Sequence, residues 1–210
     1  MSAPSKVKVP KFKKQRRVGI ELPGLGKPGA LAKRNYPPGH HGQARKRYTE
    51  YALRLKEKQK VLFHYNIREK QFRRFVKRAK TGQVVNWTDK LFSLLECRLD
   101  NIVFRLGFAK SIPAARQLVA HGNVFVDGKV LDRASAIISI GQEIKLKEKF
   151  YKNIHFEACK QQPTLELPEF LDKTDTKGIY SGKLIVLPTL SDVPFELQSR
   201  FISELYANVK

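Results

Sequence analysis

Acidic side chains are scarce in this sequence of 210 residues, which has 19 aspartates and glutamates against 41 lysines and arginines. The net charge of +22 makes a polyanion the expected partner. Cysteine is nearly absent: Cys97 and Cys159 are far apart, which excludes a disulfide scaffold and a four-cysteine zinc site and fits a reducing compartment. No apolar run approaches the roughly 18–20 residues of a membrane span, so we expect no membrane partner.

Motifs of catalysis are missing too. Zinc-binding spacings, a phosphate-binding glycine loop and a nucleophile elbow do not occur in the sequence. The paired histidines of "GHHG" at 39–42 point different ways and have no third ligand nearby, so we interpret the segment as a glycine-flanked loop that contacts RNA rather than as a metal site. His121 has no nucleophile or carboxylate arranged near it. We therefore expect no catalytic residue, no metal and no cofactor.

The positive charge is concentrated at the beginning of the chain. The first 80 residues hold 24 of the 41 basic side chains and 4 of the 19 acidic ones, which gives +20 of the net +22. Residues 1–47 have no sustained helical period and are interrupted by proline and glycine, so we expect an extended basic arm that orders only on a polyanion. A solvated tail is the alternative. The arm's candidate phosphate contacts are Lys11, Lys13, Lys14, Arg16 and Arg17.

Two basic helices are predicted after the arm, the first from about residue 48 and the second over 68–80. We assign the apolar stripe of the second helix to the core rather than to base stacking: Phe72, Phe75, Val76 and Ala79. Glu57 and Glu69 are the only acids over residues 51–80, and this shortage of ion-pair partners favours phosphate contact over a merely solvated face. The candidate contacts are Lys56, Lys58, Lys60, Arg73, Arg74, Lys77 and Arg78.

A broad apolar stripe predicts one long helix over residues 89–106. Thr88 is its expected N-cap, and Gly107 is expected to end it. The last 50 residues are nearly balanced in charge, and they predict two short extended pieces followed by a helix at about 194–207 that docks on the body of the protein.

A compact unit lies between these parts of the chain. Ser111 is expected to cap a short helix that ends at Gly122 or Asn123 in the left-handed conformation. The pair Asp127-Gly128 between two apolar runs predicts a β-hairpin, and alternating residues in "EIKL" predict a further strand. We expect Gly122→Val to damage folding, because valine tolerates the left-handed conformation poorly.

The same unit offers a surface for RNA. Arg116 and Gln117 are predicted on the outer face of the short helix, and Lys110, His121 and Lys129 flank it. Side chains cannot read the deep, narrow major groove of A-form RNA, so such a surface should recognise backbone and shape. We expect Arg116→Ala to weaken RNA binding and to leave the fold intact.

Three blocks of the sequence resemble one known family, in the right order and over nearly the whole chain. They are "PPGHHGQARKRYTEYALRLKEKQKV" with "REKQFRRF", then "RLDNIVFRLGFAKSIPAARQLVAHGNVFVDGKVL" at 98–131, and finally "FISELY". The family is the S-four family of small-subunit ribosomal proteins, which defines the S-four RNA-binding module. Some members hold zinc on cysteines within the first 40 residues; this chain has none there, so no metal is carried over.

The resemblance implies a function and a place. Family members bind the 5′ domain of small-subunit (16S) rRNA at a multi-helix junction, and they nucleate its folding during assembly. They lie beside the small-subunit protein S-five and near the channel through which mRNA enters, and they contribute to translational accuracy. By motif match, Arg45, Lys46 and Arg47 fall near that channel. The motif also places on the RNA face Arg98, Arg116, His121 and Lys129.

We therefore expect an α+β fold. A basic arm over 1–47 precedes a helical domain over 48–88, which the resemblance joins to a C-terminal helix over 192–210. The α+β domain over 89–191 contains the RNA-binding module with a short antiparallel sheet at 97–160. The expected location is the small ribosomal subunit, in the cytoplasm or in an organelle.

Two other classes of protein share this module. Pseudouridine synthases have an Arg-Leu-Asp motif in the active site, which would make Asp100 catalytic; but only 110 residues follow Asp100 here, too few for the module and a large catalytic domain. RNA-binding heat-shock chaperones are the other class, and they lack the long basic arm and the paired basic helices. We expect a ribosomal protein and not an enzyme.

Overall fold

The computed structural model describes residues 11–26, 29–45, 47–82, 86–176 and 178–207. Within these ranges the chain forms ten α-helices, one short 3-10 turn at Leu190–Asp192 and a five-stranded antiparallel sheet, which confirms the α+β class. None of the helices within these ranges is long and apolar enough to cross a membrane.

The N-terminal arm contains two helices, which the sequence did not predict. These are α1 (Lys11–Val18) and α2 (Ala30–Lys33). Val18, Leu22 and Leu25 are buried and form a small second core against Phe63 and Phe195. The expectation of an extended arm that orders only on a partner is therefore wrong for residues 11–26, because apolar residues scattered among the cations find burial against distant parts of the chain.

The two basic helices are α3 (Glu50–His64) and α4 (Glu69–Lys80), close to their predicted bounds. The side-chain oxygen of Thr49 accepts a hydrogen bond from the Ala52 N–H at 3.3 Å and so caps α3. The predicted stripe of α4 is buried as expected: Phe72, Phe75, Val76 and Ala79.

The helix α10 (Ser199–Leu205) packs against α3 and is shorter than the predicted helix at 194–207. The Arg54 guanidinium pairs with Glu204 at 2.7 Å, and the Gln198 N–H donates to Glu57 at 3.1 Å. The C-terminal segment thereby packs back onto α3 in the helical part of the molecule.

The long helix predicted over 89–106 is instead two helices, α5 (Trp87–Glu96) and α6 (Leu99–Arg105). Asn86 rather than Thr88 caps α5. The chain is extended at Arg98, where the N–H groups of Leu99 and Asp100 donate to the carbonyls of Ala136 and Ala134 at 2.9 and 3.1 Å. A turn from far along the chain thus satisfies N–H groups in the first turn of α6. Apolar periodicity cannot reveal this break, because both helices are buried.

The compact unit folds as predicted. After Gly107, which has φ of 73°, Ser111 caps α7 (Ile112–Ala120) and Gly122 continues the chain with φ of 64°. The hairpin joins β1 (Val124–Val126) to β2 (Lys129–Val130) through Asp127 and Gly128, which have φ of 49° and 76°. Two consecutive positive φ values are those of a type I′ turn, which suits the twist of a hairpin.

The sheet has the order β2-β1-β3-β5-β4, with all neighbours antiparallel. Its other strands are β3 (Glu143–Leu146), β4 (Leu171–Thr176) and β5 (Ile179–Leu184). Two helices that the sequence did not predict, α8 (Glu148–Tyr151) and α9 (Ile154–Gln161), lie between β3 and β4 in the chain. Gly182 of β5 lies against Leu106, where a Cβ would overlap the leucine side chain, so the sheet packs directly on the end of α6.

One contiguous core runs through the whole assembly of helices and sheet. It includes Phe72 of α4, Leu95 of α5, Ile102 of α6 and Ile144 of β3, and Tyr206 after α10 closes it. The helical part and the sheet are therefore fixed with respect to each other, and the basic surfaces of both lie on one rigid support.

Candidate nucleic-acid interface

The outer face of α4 is a dense basic surface. The cations Arg73, Arg74, Lys77 and Arg78 are exposed, while the opposite face is buried. Glu69 is the one acidic residue of α4, and it accepts a hydrogen bond from Arg73 at 3.1 Å. It also accepts a hydrogen bond from the Tyr206 hydroxyl at 2.7 Å and pairs with Lys58 at 3.1 Å. Burial alone would raise the pKa of Glu69, but these donors lower it, so the carboxylate stays charged.

The lysines of α3 do not form the predicted phosphate-binding face. Lys60 is buried, 2.6 Å from Glu57 and 3.2 Å from the Glu196 carbonyl. The Lys58 side chain is also largely covered and pairs with Glu69. Both therefore hold the C-terminal segment and α4 in place, and we correct their assignment as RNA contacts. Lys56 is half-buried, with its ammonium 5.7 Å from the centre of the Tyr48 ring.

The cations of the arm fall into three groups. Lys13 and Arg17 are exposed, and so are Arg45 and Arg47. Lys14 and Arg16 are half-buried: the Lys14 ammonium is 5.4 Å from the Phe63 ring, and Arg16 stacks on Tyr36 at 4.7 Å while donating to its carbonyl at 2.9 Å. The predicted contacts Lys46 and the Lys11 side chain lie outside what the structure describes.

Two tyrosines beside these cations escaped the prediction. Tyr48 and Tyr51 fall at helical spacing with Leu55 and Leu62, which suggests an inward stripe, but 50% and 62% of their surfaces are exposed. Exposed aromatic rings next to cations are platforms on which unpaired bases can stack. The usable signal in the sequence is their position at the very start of α3, where the apolar stripe has not yet met the core.

Arg98 and Arg116 both pair with Asp100 in an internal network. Asp100 is fully buried and accepts two hydrogen bonds from Arg98 at 3.0 and 2.7 Å, and two from Arg116 at 3.1 and 2.5 Å. Arg98 is 1% exposed, so its assignment to the RNA face is wrong. Asp100 pairs with both cations, an arrangement that serves the fold and gives no support to a catalytic Asp100.

Arg116 also reaches across to the helical part. Its Nη1 donates to the Asn66 carbonyl at 3.0 Å, and 32% of the side chain remains exposed. The expectation that Arg116→Ala leaves the fold intact is therefore at odds with the contacts. A periodic pattern places an arginine on a helix face, but it cannot show that a buried carboxylate holds that arginine.

The remaining predicted residues of the compact unit are exposed. Gln117 and His121 lie four residues apart on the outer face of α7 and at its C-cap, and Lys110 and Lys129 flank them. They remain candidates for phosphate and base contact, with Gly122 and the Asp127-Gly128 turn fixing the backbone beneath them. Hydrogen bonds from the Glu143 N–H and the Gln142 side chain lower the pKa of Asp127. The Asp127 carboxylate therefore stays charged, and its hydrogen bonds stabilise the turn.

A second buried polar network lies where the helical part meets α6. Glu96 accepts hydrogen bonds from the Tyr65 hydroxyl, from Asn101 at 2.7 Å and from Arg105 at 3.1 Å. Burial, together with the charge of Arg105, lowers the pKa of the neighbouring His64 to about 3. Glu96 is fully buried, and its three partners come from α6 and from the residue that directly follows α3, so we interpret the network as structural.

The "GHHG" loop holds its two histidines on the surface. The rings of His40 and His41 are 5.0 Å apart and nearly perpendicular. Among the residues that the structure describes, no group of three or more histidines, cysteines and carboxylates is placed to hold a metal ion.

Comparison with known families and proteins gives consistent matches. The family "Ribosomal protein S4/S9 N-terminal domain" matches residues 6–96, and the "S4 domain" family matches residues 97–144. The "Small ribosomal subunit protein uS4B" of Bdellovibrio bacteriovorus is 52% identical over 200 residues, which cover 95% of this chain and 96% of that protein. The uS4 proteins of Rippkaea orientalis and of a Synechococcus species are 42% and 41% identical, over 97% of this chain and 98% of theirs.

Proposed function

Because the chain belongs to the uS4 family of small ribosomal subunit proteins, we propose that it binds the 5′ domain of 16S rRNA and nucleates its folding during subunit assembly. Its general role is that of a structural ribosomal protein with an S4 RNA-binding domain. The proposed finer role extends to a multi-helix junction of the rRNA, in the cytoplasm. The observation that carries it is the outer face of α4, where no carboxylate of the described chain pairs with Arg74, Lys77 or Arg78.

Several separated surfaces support binding at a junction rather than on one helix. The basic face of α4, the exposed cations of the arm and the outer face of α7 are carried by one rigid core. A rigid body that presents phosphate contacts in several directions can hold several RNA helices at fixed angles, and this is what nucleation of a junction requires.

The test of rRNA binding is its salt dependence. Each phosphate contact that is lost should reduce the slope of log affinity against log salt by about 0.7–0.9. We expect filter binding to a 5′-domain fragment to show a slope that is lower by about 2–3 in the triple variant Arg74→Gln, Lys77→Gln, Arg78→Gln. Lys183→Gln, an exposed lysine on β5, is the control and should change little. An unchanged slope in the triple variant would refute the role of this face.

Sedimentation separates a ribosomal protein from a stand-alone RNA chaperone. We expect the chain to sediment with small subunits at near-stoichiometric amounts under all growth conditions. Presence only after heat shock, or only in fractions lighter than the subunit, would favour the chaperone.

We propose two further neighbours. Arg45 and Arg47 lie near the channel through which mRNA enters, and their joint change to alanine should alter stop-codon readthrough; unchanged readthrough would contradict this.

The protein S-five is proposed to cover an exposed apolar strip of Ile140, Ile185, Val186 and Leu187. The two segments of this strip are joined by the Gly141 N–H, which donates to the Leu184 carbonyl at 2.8 Å. Crosslinking from Val186→Cys in assembled subunits tests this, and crosslinks to RNA alone would contradict it.

A further inference from the structure

A cavity of about 650 Å³ opens between α7 and the α8–α9 segment. Its floor is apolar and buried, and it includes Phe108, Phe156 and Cys159. Its rim is polar and exposed, with lysines, histidines and a glutamine: Lys110, Gln117, His121, Lys149 and His155. The volume lies within the range of about 300–1,000 Å³ that is usual for sites that enclose a small ligand.

The walls of this cavity are held firmly. The Phe156 ring packs against Phe108, Tyr151 and Tyr180, with ring centres 5.3–6.0 Å apart. The Tyr151 hydroxyl donates to the Tyr180 carbonyl at 2.6 Å and accepts from the Leu146 N–H at 2.9 Å, which ties α8 to the sheet. The cavity is therefore built into the fold rather than formed by a loose loop.

The chemistry of the lining suits a nucleotide. No lining residue is acidic, while Lys110 and Lys149 bring positive charge to the rim. The partly exposed ring of Phe150 stands there too, with the Lys149 ammonium 5.5 Å from its centre. An aromatic face beside a cation, above an apolar floor, can receive a flat base and its phosphate together. The side-chain amide of Gln117 is available to hydrogen-bond the edge of a base, whereas the Asn153 Oδ1 already accepts from the His155 N–H at 2.9 Å and caps α9.

We propose that this cavity takes one nucleotide extruded from the rRNA, with its base against Phe150 and its phosphate at Lys110 and Lys149. The proposal rests on the proposed binding of rRNA, and it adds a site at which the protein holds a single base. RNA is favoured over a free nucleotide because Lys110, Gln117 and His121 belong to the outer surface around α7, where the compact unit presents its polar side chains. Recognition at the cavity then adds base contact to a surface that otherwise reads backbone and shape.

The test uses the full chain, the 5′-domain rRNA fragment and two measurements, filter binding and base-by-base probing with dimethyl sulfate and a carbodiimide. Phe150→Leu keeps an apolar side chain but removes the aromatic face. We expect it to weaken affinity by about tenfold and to abolish the protection of one or two bases, with the remaining footprint unchanged. Phe150→Tyr keeps the aromatic face, so it should keep both the wild-type affinity and the base protection. Equal thermal unfolding of the variants shows that the cavity itself persists.

Two lysines of the same segment provide a matched control. Lys149 lines the cavity, whereas Lys152 is exposed but does not line it. We expect Lys149→Gln to weaken binding several-fold more than Lys152→Gln at the same salt concentration. Equal effects of the two changes would overturn the placement of the phosphate.

The outcomes separate this proposal from the function on which it rests. If the wild-type chain does not bind the fragment, both fail. If it binds, and Phe150→Leu changes neither the affinity nor any base reactivity, only the cavity proposal fails. Saturable binding of AMP, GMP, CMP or UMP that is lost in Phe150→Leu, while rRNA affinity is unchanged, would identify a free nucleotide and overturn the extruded base.

Discussion

The buried network around Asp100 yields a prediction that separates structural arginines from RNA-binding ones. Arg98 is 1% exposed and makes two hydrogen bonds to Asp100, so Arg98→Ala leaves a buried carboxylate with only one of its two arginines. Removing one partner of a buried ion pair costs about 3–5 kcal/mol. We expect Arg98→Ala to lower the free energy of unfolding by this amount, which is a large share of the stability of an ordinary domain.

Arg116→Ala should lower the free energy of unfolding by less than Arg98→Ala does. Asp100 keeps Arg98, and 32% of the Arg116 side chain is already in water, so we reduce the expected loss to about 1–2 kcal/mol. Part of this loss is the hydrogen bond to the Asn66 carbonyl, which ties α7 to the helical part.

Urea unfolding followed by the fluorescence of Trp87, the single tryptophan, measures both losses. A double-mutant cycle of Asp100→Asn with Arg116→Ala isolates the pairwise energy, and we expect a coupling of about 1 kcal/mol or more. The reasoning is refuted if Arg116→Ala unfolds at the wild-type midpoint while rRNA affinity falls. That result would mean that the guanidinium is free for RNA.

Three further changes test other parts of the account. Gly122→Val should lower the free energy of unfolding by about 1–2 kcal/mol and Gly122→Asn by much less, since asparagine tolerates the left-handed conformation; equal melting temperatures would contradict this. The pKa of His64 is about 3 in the folded chain and about 6.5 in the unfolded chain, so between these pH values only the unfolded chain binds the proton. The free energy of unfolding therefore falls by up to about 1.4 kcal/mol per pH unit as the pH drops from 6.5 towards 3. In His64→Phe the slope of unfolding free energy against pH should be smaller, and an identical slope would refute the assignment. Tyr51→Ala should weaken rRNA binding about tenfold at an unchanged urea midpoint, and full affinity would exclude stacking by this ring.

Local signals predicted the compact unit well. Ser111, Gly122 and the Asp127-Gly128 turn each satisfy a backbone requirement of their immediate neighbours, so no knowledge of distant contacts is needed. The buried stripe of α4 is a signal of the same kind, because one face of a single helix must cover the core.

The features that escaped prediction depend on distant parts of the chain. The break before α6 exists because the carbonyls of Ala134 and Ala136 satisfy its first turn, and α1 is stabilised against Phe63 and Phe195. For Arg98 and Arg116, the side-chain type suggested phosphate contact. The sequence did hold a warning: Asp100 lies within an apolar helix, where a carboxylate must be paired with cations to be buried.

Footprinting of intact 16S rRNA with the purified full chain tests the central claim most directly. We expect hydroxyl-radical protections confined to the 5′ domain and clustered on several helices that meet at one junction. The triple variant Arg74→Gln, Lys77→Gln, Arg78→Gln should lose one group of these backbone protections while the others persist at higher protein concentration. Protections spread evenly along the rRNA, or centred in another domain, would contradict the account.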